Sequence, residues 1–165
     1  MGSGLQLVGH GLRARVQRGP EAPGRRPIDA SVETRRYRCR VCGAVMVVAP
    51  RGVVRRRLYS ATAIGLSLAL FGIEGCSARA VREAIVPTVS HRSAAEGATW
   101  STLRRWARQA KAGALLDDTA CPATFSLRQA AERVATGLMA LGRRGLGVVE
   151  RVWEGALEAR WRGAS

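Results

Sequence analysis

The spacing of apolar residues changes at Ser60, and this change constrains the fold more than any other feature of the chain. Apolar and polar residues alternate over 12–18, which is the period of a half-buried strand. From Ser60 onward, Ile64, Leu68 and their neighbours recur at helical spacing on more than one face. The uncharged run 58–73 therefore predicts a buried central helix, and it is shorter than the ~20 residues of a membrane span.

Upstream of Ser60 the sequence predicts three extended segments, over residues 12–18, 31–38 and 45–49. The stretch 19–27 contains three prolines and two glycines, so it is predicted to be a loop. A ribbon of such short strands is marginally stable by itself and needs a clip such as a metal ion.

Downstream of the central helix, polar caps and helical spacing predict four more helices. Ser126 and Gln129 have the spacing of a capping box. The four helices are predicted over 78–85, from Thr99 or Ser101 to about Ala110, from Ser126 to about Leu141, and over 148–161.

These elements predict a mainly α fold. A short N-terminal β ribbon, zinc-ribbon-like, occupies residues 1–58 together with a basic connector. A helix-turn-helix domain is predicted over 59–112, followed by a linker over 113–125 and a C-terminal helical segment over 126–165.

The formal net charge is +15, from 27 basic and 12 acidic side chains. Residues 1–58 contain 13 basic and 3 acidic side chains, residues 59–112 contain 7 and 3, and residues 113–165 contain 7 and 6. Such an excess favours phosphate polyanions or anionic membrane surfaces, and its distribution assigns the contact to the first two blocks. Every basic residue except Lys111 is arginine, so part of the excess can reflect the codon usage of a GC-rich genome.

The run from Tyr37 to Gly43 contains a Cys-x-x-Cys turn, Cys39 and Cys42, followed by glycine. In such a turn two thiolates converge on one tetrahedral ion, and zinc is the metal that this chemistry favours. A structural zinc site has four ligands, and the ligand set here is incomplete. His10 is a candidate third ligand and His91 a distant fourth, whereas the alternative is a pair of thiols without metal.

The predicted helix over 101–111 has a polar, cationic face that suits duplex DNA. Arginine can read guanine edges or hold phosphates, and hydroxyl groups at a helix start suit backbone contacts. The alternative is a solvated charged face on a three-helix bundle. The candidate DNA-binding residues of this helix are Ser101, Thr102, Arg104, Arg105 and Arg108.

The basic segment 51–57, which we call the connector, joins the predicted ribbon to the predicted helices. Segments of this kind track phosphates or enter a minor groove, and a solvated linker is the alternative. Its candidate DNA-binding residues are Arg51, Arg55, Arg56 and Arg57.

Nothing in the sequence predicts an enzyme. Asp117 and Asp118 are a lone acidic pair in a predicted linker, and no glycine-rich phosphate loop or nucleophile with a nearby base is apparent. The first residues lack the pattern of a signal peptide, and Cys76 and Cys121 are isolated from the Cys39 pair. We therefore expect a cytoplasmic protein without catalytic activity.

Four stretches of the sequence together resemble a known pattern. They are the Cys-x-x-Cys turn at Tyr37–Gly43, the run Val48-Ala49-Pro50-Arg51-Gly52, the pair Tyr59-Ser60 and the run Trp100-Ser101-Thr102-Leu103-Arg104-Arg105-Trp106. Residues 8–112 resemble the zinc-ribbon plus helix-turn-helix N-terminal regions of bacterial transposase-related proteins. The resemblance implies DNA binding and a mobile-element origin. Such ribbons normally have another Cys-x-x-Cys upstream, and the stretch around His10 has none, as expected of a truncated element or a start codon assigned too far downstream. The acidic catalytic domain of a full transposase is missing as well.

The sequence thus predicts a bacterial, nucleoid-associated protein that binds duplex DNA through residues 101–111 and the connector. One alternative is a protein-interaction module in which helices over 126–161 form a homodimer. A second alternative is RNA binding through the ribbon, as in small zinc-ribbon proteins of the ribosome.

Overall fold

The computed structural model of the chain describes residues 6–87, 100–117 and 119–162. Within these ranges the chain forms a three-stranded antiparallel sheet, in the order β1-β2-β3, and five helices. The strands are β1 (Leu7–Pro20), β2 (Pro27–Cys39) and β3 (Val45–Val48). The helices are α1 (Ala61–Gly72), α2 (Ala78–Ile85), α3 (Ser101–Lys111), α4 (Leu127–Leu141) and α5 (Val148–Glu158).

The prediction of a mainly α fold is wrong, because 40% of the described residues are helical and 24% are strand. β1 pairs with β2 from Leu7 opposite Cys39 to Pro20 opposite Pro27, so both strands continue into the stretch predicted as a loop. Backbone hydrogen bonds between the two strands hold the ends of this stretch, residues 19–20 and 27, extended, whereas residues 21–26 form the predicted loop. Long-range pairing of this kind overrides local preference.

The predicted helix-turn-helix domain over 59–112 contains α1, α2 and α3, with α2 ending at Ile85 and α3 beginning at Ser101. Residues 88–99 between these two helices lie outside the described residues, so the helix-turn-helix arrangement stays a prediction. Thr99, the other candidate start of the third helix, lies outside the described residues.

Three of the five helices described, α1, α2 and α4, begin at the polar caps that the sequence predicts, whereas α3 begins after Trp100 without a side-chain cap. The Ser60 hydroxyl accepts a hydrogen bond from the Ala63 N–H at 3.0 Å, and Ser77 caps α2 in the same way. Ser126 and Gln129 form the predicted capping box at the start of α4. The fifth helix ends at Glu158, before Trp161, so its predicted end is wrong by three residues.

Helix α1 lies at the centre of the hydrophobic core, as the uncharged run predicts. Ten of its residues, Ala61–Ala69 and Gly72, are buried, and the core continues through α3, α4 and α5. An aromatic trio of Tyr59, Trp100 and Trp106 packs edge to face in this core, with ring centroids 5.0–5.9 Å apart. Among the residues described, no helix combines the length and apolar character needed to cross a bilayer.

Glycines let the helices of the core approach each other closely. A Cβ at Gly72 of α1 would overlap the backbone of Glu132 in α4, and a Cβ at Gly155 of α5 would overlap the backbone of Leu138 in α4. Helices α1, α4 and α5 therefore pack as one unit in which backbone lies against backbone at these two crossings.

The sheet is joined to the helical core by backbone hydrogen bonds across Arg18. Its N–H donates to the Leu58 carbonyl at 2.8 Å, and its carbonyl accepts from the Ser60 N–H at 3.0 Å. The Gln17 side chain adds a hydrogen bond to the Gly52 carbonyl at 2.8 Å. One end of β1 therefore fixes residues 52–60 against the sheet.

The α4–α5 crossing gives a direct test of this packing. We expect Gly155→Ala to lower the free energy of unfolding by about 1–3 kcal/mol, because the added methyl group forces the two backbones apart. The matched control is Gly137→Ala in α4, where nothing lies closer to the new methyl than Thr119 at 3.9 Å. This control should raise the free energy of unfolding by about 0.5–1 kcal/mol, because alanine is the better helix former. Urea denaturation followed by circular dichroism measures both, and equal midpoints would contradict the packing.

Candidate nucleic-acid interface

Helix α3 has one buried and one exposed face. Its buried residues are Leu103, Trp106, Ala107 and Ala110, which anchor it in the core. Of the predicted DNA-binding residues on this helix, Ser101, Arg104, Arg105 and Arg108 are exposed and Thr102 is half-buried. The face that the sequence assigned to DNA is thus the face that the fold leaves in solvent, with three guanidinium groups on it.

The connector, residues 51–57, is held in place along its length. Besides the Gln17 contact, the Ala61 N–H donates to the Gly52 carbonyl at 2.8 Å, and the Arg57 N–H donates to the Val54 carbonyl at 3.2 Å. The side chain of Arg15 in β1 donates to the Arg57 carbonyl. These contacts make the connector an ordered part of the fold that runs from the sheet to α1.

A tight turn at the end of the connector sets the direction of its last arginines. Arg56 has a φ of 57°, in the left-handed region that side-chain-bearing residues rarely adopt. Such a conformation persists only where the surrounding structure holds it, and here the Arg57–Val54 hydrogen bond closes the turn. The turn brings Arg56 and Arg57 to the side of α3.

Arg57 is the buried cation of this region, with only 8% of its surface exposed. Its Nη1 donates to the Gln109 Oε1 in α3 at 2.9 Å, whereas its Nε and Nη2 have no hydrogen-bond partner among the described residues. Burial and the nearby charge of Arg105 both lower the pKa of the Arg57 guanidinium. Arg57 therefore couples the connector to α3 while its own charge is left poorly compensated.

A cleft of about 460 Å³ lies where the connector, β1 and α3 meet. Four of the nine residues that line it are arginines, and none is acidic. The lining residues are Arg18, Arg56, Arg57, Leu58, Tyr59, Thr102, Arg105, Trp106 and Gln109. The cleft is a cationic depression with an aromatic floor.

Seven of the nine predicted DNA-binding residues fall into two groups. Arg56, Arg57, Thr102 and Arg105 line the cleft, while Ser101, Arg104 and Arg108 project from the exposed face of α3. Arg55 is exposed on the connector, and Arg51 pairs with Glu158 of α5 at 2.5 Å.

Several arginines of this region form no ion pair. Ion pairs between arginine and carboxylate include Arg18–Asp29, Arg51–Glu158, Arg79–Glu83, Arg143–Glu154 and Arg162–Asp117. Arg55, Arg104, Arg105 and Arg108 form no ion pair with any carboxylate of ranges 6–87, 100–117 and 119–162, and the same holds for exposed arginines outside this region such as Arg13, Arg35 and Arg40. Uncompensated positive charge therefore lies on α3 and the connector as well as elsewhere on the surface.

The Cys-x-x-Cys turn connects β2 to β3. The Gly43 N–H donates to the Cys39 carbonyl at 3.0 Å, and Gly43 has the left-handed φ of 72° that the motif requires. Cys39 is buried and Cys42 is exposed. Backbone hydrogen bonds from Cys42 and Val41 lower the pKa of the Cys39 thiol, which is the direction that favours a thiolate.

Zinc binding at Cys39 and Cys42 stays a prediction. No group of three or more His, Cys, Asp or Glu side chains that could hold a metal occurs in the part of the chain described. The register pairs Cys39 with Leu7, three positions along β1 from His10, and His91 lies outside the described residues. Two cysteines are half of the four ligands that structural zinc takes.

Compared with protein-family models, curated proteins and solved structures, the chain shows no match. The resemblance to transposase-related proteins therefore rests on the sequence motifs alone.

Five cleft residues were not predicted as part of the site. Arg18 lies in β1, where its pKa is raised by hydrogen bonds to Asp29. Leu58 and Tyr59 line the cleft from the segment before α1, and Trp106 and Gln109 line it from α3. Gln109 carries a usable signal, because it lies one helical turn from Arg105 on the predicted helix, whereas nothing local distinguishes Arg18 from other strand arginines.

Replacing Arg57 tests whether its buried guanidinium destabilises the folded protein. We expect Arg57→Met to raise the free energy of unfolding by about 1 kcal/mol or more, because it removes a buried charge with two unpartnered N–H groups and keeps an apolar stem of similar size. Arg55→Met on the exposed side of the connector is the matched control and should change the free energy by less than about 0.5 kcal/mol. Thermal and urea denaturation at constant ionic strength measure both. A strongly destabilised Arg57→Met variant would contradict this description of Arg57.

Proposed function

We propose that the protein binds duplex DNA through the exposed face of α3 and the adjoining end of the connector, without catalytic activity of its own. The observation that carries the proposal is the cluster of guanidinium groups at Arg104, Arg105 and Arg108, which are exposed, unpaired with described carboxylates and anchored on a helix with a buried aromatic face. Phosphate groups are the natural partners of such a surface.

The arrangement also supports the proposal through its rigidity. Trp106 and Leu103 fix α3 in the core, with about 1% of each side chain exposed. The arginines therefore project from a helix whose position is set before any ligand arrives, which lowers the entropy lost on binding. An α-helix of this kind fits the width of the DNA major groove.

Binding of this type is governed by counterion release. Each phosphate neutralised by arginine releases condensed cations from the duplex, so the logarithm of the binding constant falls linearly with the logarithm of the salt concentration. We expect the protein to bind random duplex DNA with a steep slope of this kind. The proposal includes a bacterial, nucleoid-associated location, which rests on the resemblance to bacterial transposase-related proteins.

Alanine substitutions on α3 test the assignment. We expect Arg104→Ala and Arg108→Ala each to weaken DNA binding several-fold and to reduce the salt slope by about 1, because one phosphate contact is lost. Any base contact would in addition relax sequence preference by ~1–3 kcal/mol. Fluorescence anisotropy with a labelled duplex, repeated at several salt concentrations, measures both quantities.

The matched control is Arg133→Ala, which removes one exposed arginine from α4, away from the proposed surface. It should leave the affinity within twofold of the wild type. Equal losses in all three variants would indicate a diffuse charge effect, and unchanged affinity in Arg104→Ala and Arg108→Ala would contradict the proposal. Competition with structured RNA distinguishes duplex DNA from RNA as the preferred partner.

The alternative of a homodimer through the C-terminal helices remains a second proposal with less support. Most of the apolar face of α4 is used inside the chain, where Ala131, Val134 and Leu138 are completely buried. Leu141 and Leu146 remain exposed near the α4–α5 connection and are the residues available to a second copy. Size-exclusion chromatography with light scattering measures the oligomeric state.

A further inference from the structure

The unpartnered edge of Arg57 has the geometry of an oxyanion receptor. Nε and Nη2 form the side of a guanidinium that takes two oxygen atoms of one acid group in parallel hydrogen bonds. Arg18 uses this same edge on Asp29, with Nε and Nη2 at 2.7 and 2.9 Å from the two carboxylate oxygens. In Arg57 the edge is buried, and no described residue supplies the acceptor.

A buried cation without an acceptor is costly to the folded state. Each buried donor left unsatisfied destabilises the folded state, and more so when the group is charged. Arg105 on the neighbouring wall adds like-charge repulsion. A bound anion removes both costs together, because it accepts the free N–H groups and neutralises the two charges.

The walls of the cleft supply further donors for such an anion. Thr102 contributes a hydroxyl group and Arg105 a second guanidinium from α3. Gln109 accepts from Arg57 through Oε1, which leaves its amide nitrogen as a donor. The volume of about 460 Å³ falls within the ~300–1,000 Å³ of small-molecule sites, so the cleft can hold a phosphate group with part of its ester.

From this geometry we infer that the cleft is a phosphate-binding site, in which Arg57 holds the oxyanion through Nε and Nη2 and Arg105 and Thr102 bind it from α3. The ligand class is a phosphate ester. A backbone phosphate of DNA and a free phosphorylated small molecule share this chemistry. The choice of DNA as the source rests on the proposed function, whereas the anion site does not.

The test uses the full chain and inorganic phosphate as the probe, at an ionic strength held constant with sodium chloride. We expect phosphate to raise the melting temperature in a saturable manner, and calorimetric titration to give the affinity. Arg57→Met and Arg105→Gln should each weaken phosphate binding at least tenfold. Arg104→Gln, which lies one residue away but outside the cleft, should bind phosphate within twofold of the wild type while losing DNA affinity.

Two results would overturn the inference. One is a phosphate effect that does not saturate and equals that of chloride. The other is an equal loss in Arg104→Gln and Arg105→Gln, which would indicate a diffuse cationic surface.

A parallel titration with a labelled DNA duplex separates this inference from the proposed function. If phosphate saturates the cleft and DNA does not bind, the anion site stands, its ligand is a free phosphate ester, and the DNA-binding proposal fails. If DNA binds and phosphate shows no saturable effect, the DNA-binding proposal stands and the anion site is wrong. Competition of phosphate with DNA, lost in Arg105→Gln, would identify the DNA backbone as the source.

Discussion

The backbone hydrogen bonds that Arg18 makes on both of its sides hold the two halves of this protein together. They join β1 to the residues on either side of Tyr59, and Gly19 follows at once, with a φ of 143° and with Ala63 and Ser60 so close that a Cβ would overlap them. A side chain at that position would push the sheet away from α1. The connector, the aromatic trio and α3 all take their positions from this junction.

From this junction, one physical conflict leads to the functional interpretation. The fold stabilises α3 by burying Trp106 and Leu103, and the same packing encloses Arg57 between the connector and Gln109. Hydrophobic burial thus holds the guanidinium of Arg57 where water no longer solvates its charge. Departures of this kind from the usual rules of folding tend to mark functional sites, and the inferred anion site arises from this conflict.

Local patterns in the sequence predict the positions of most elements but not the length of the strands. Periodicity and polar caps locate all five helices within a few residues, and they assign the inward and outward faces of α3 correctly. These local patterns do not predict the full extent of β1 and β2, because the residues near Pro20 and those near Pro27 are extended only by pairing with each other. The burial of Arg57 escapes them as well, since it depends on Gln109, 52 positions away.

The proposed interface consists of arginine and hydroxyl side chains, and this composition determines how it can be regulated. Guanidinium groups stay protonated at every physiological pH and are not substrates of lysine acetylation. The assigned residues include neither histidine nor lysine, so acidification and acetylation have no group to act on within the interface itself. Control of such a surface falls to competing polyanions, to the amount of protein made, or to phosphorylation of Ser101 or Thr102, which would place negative charge among the arginines.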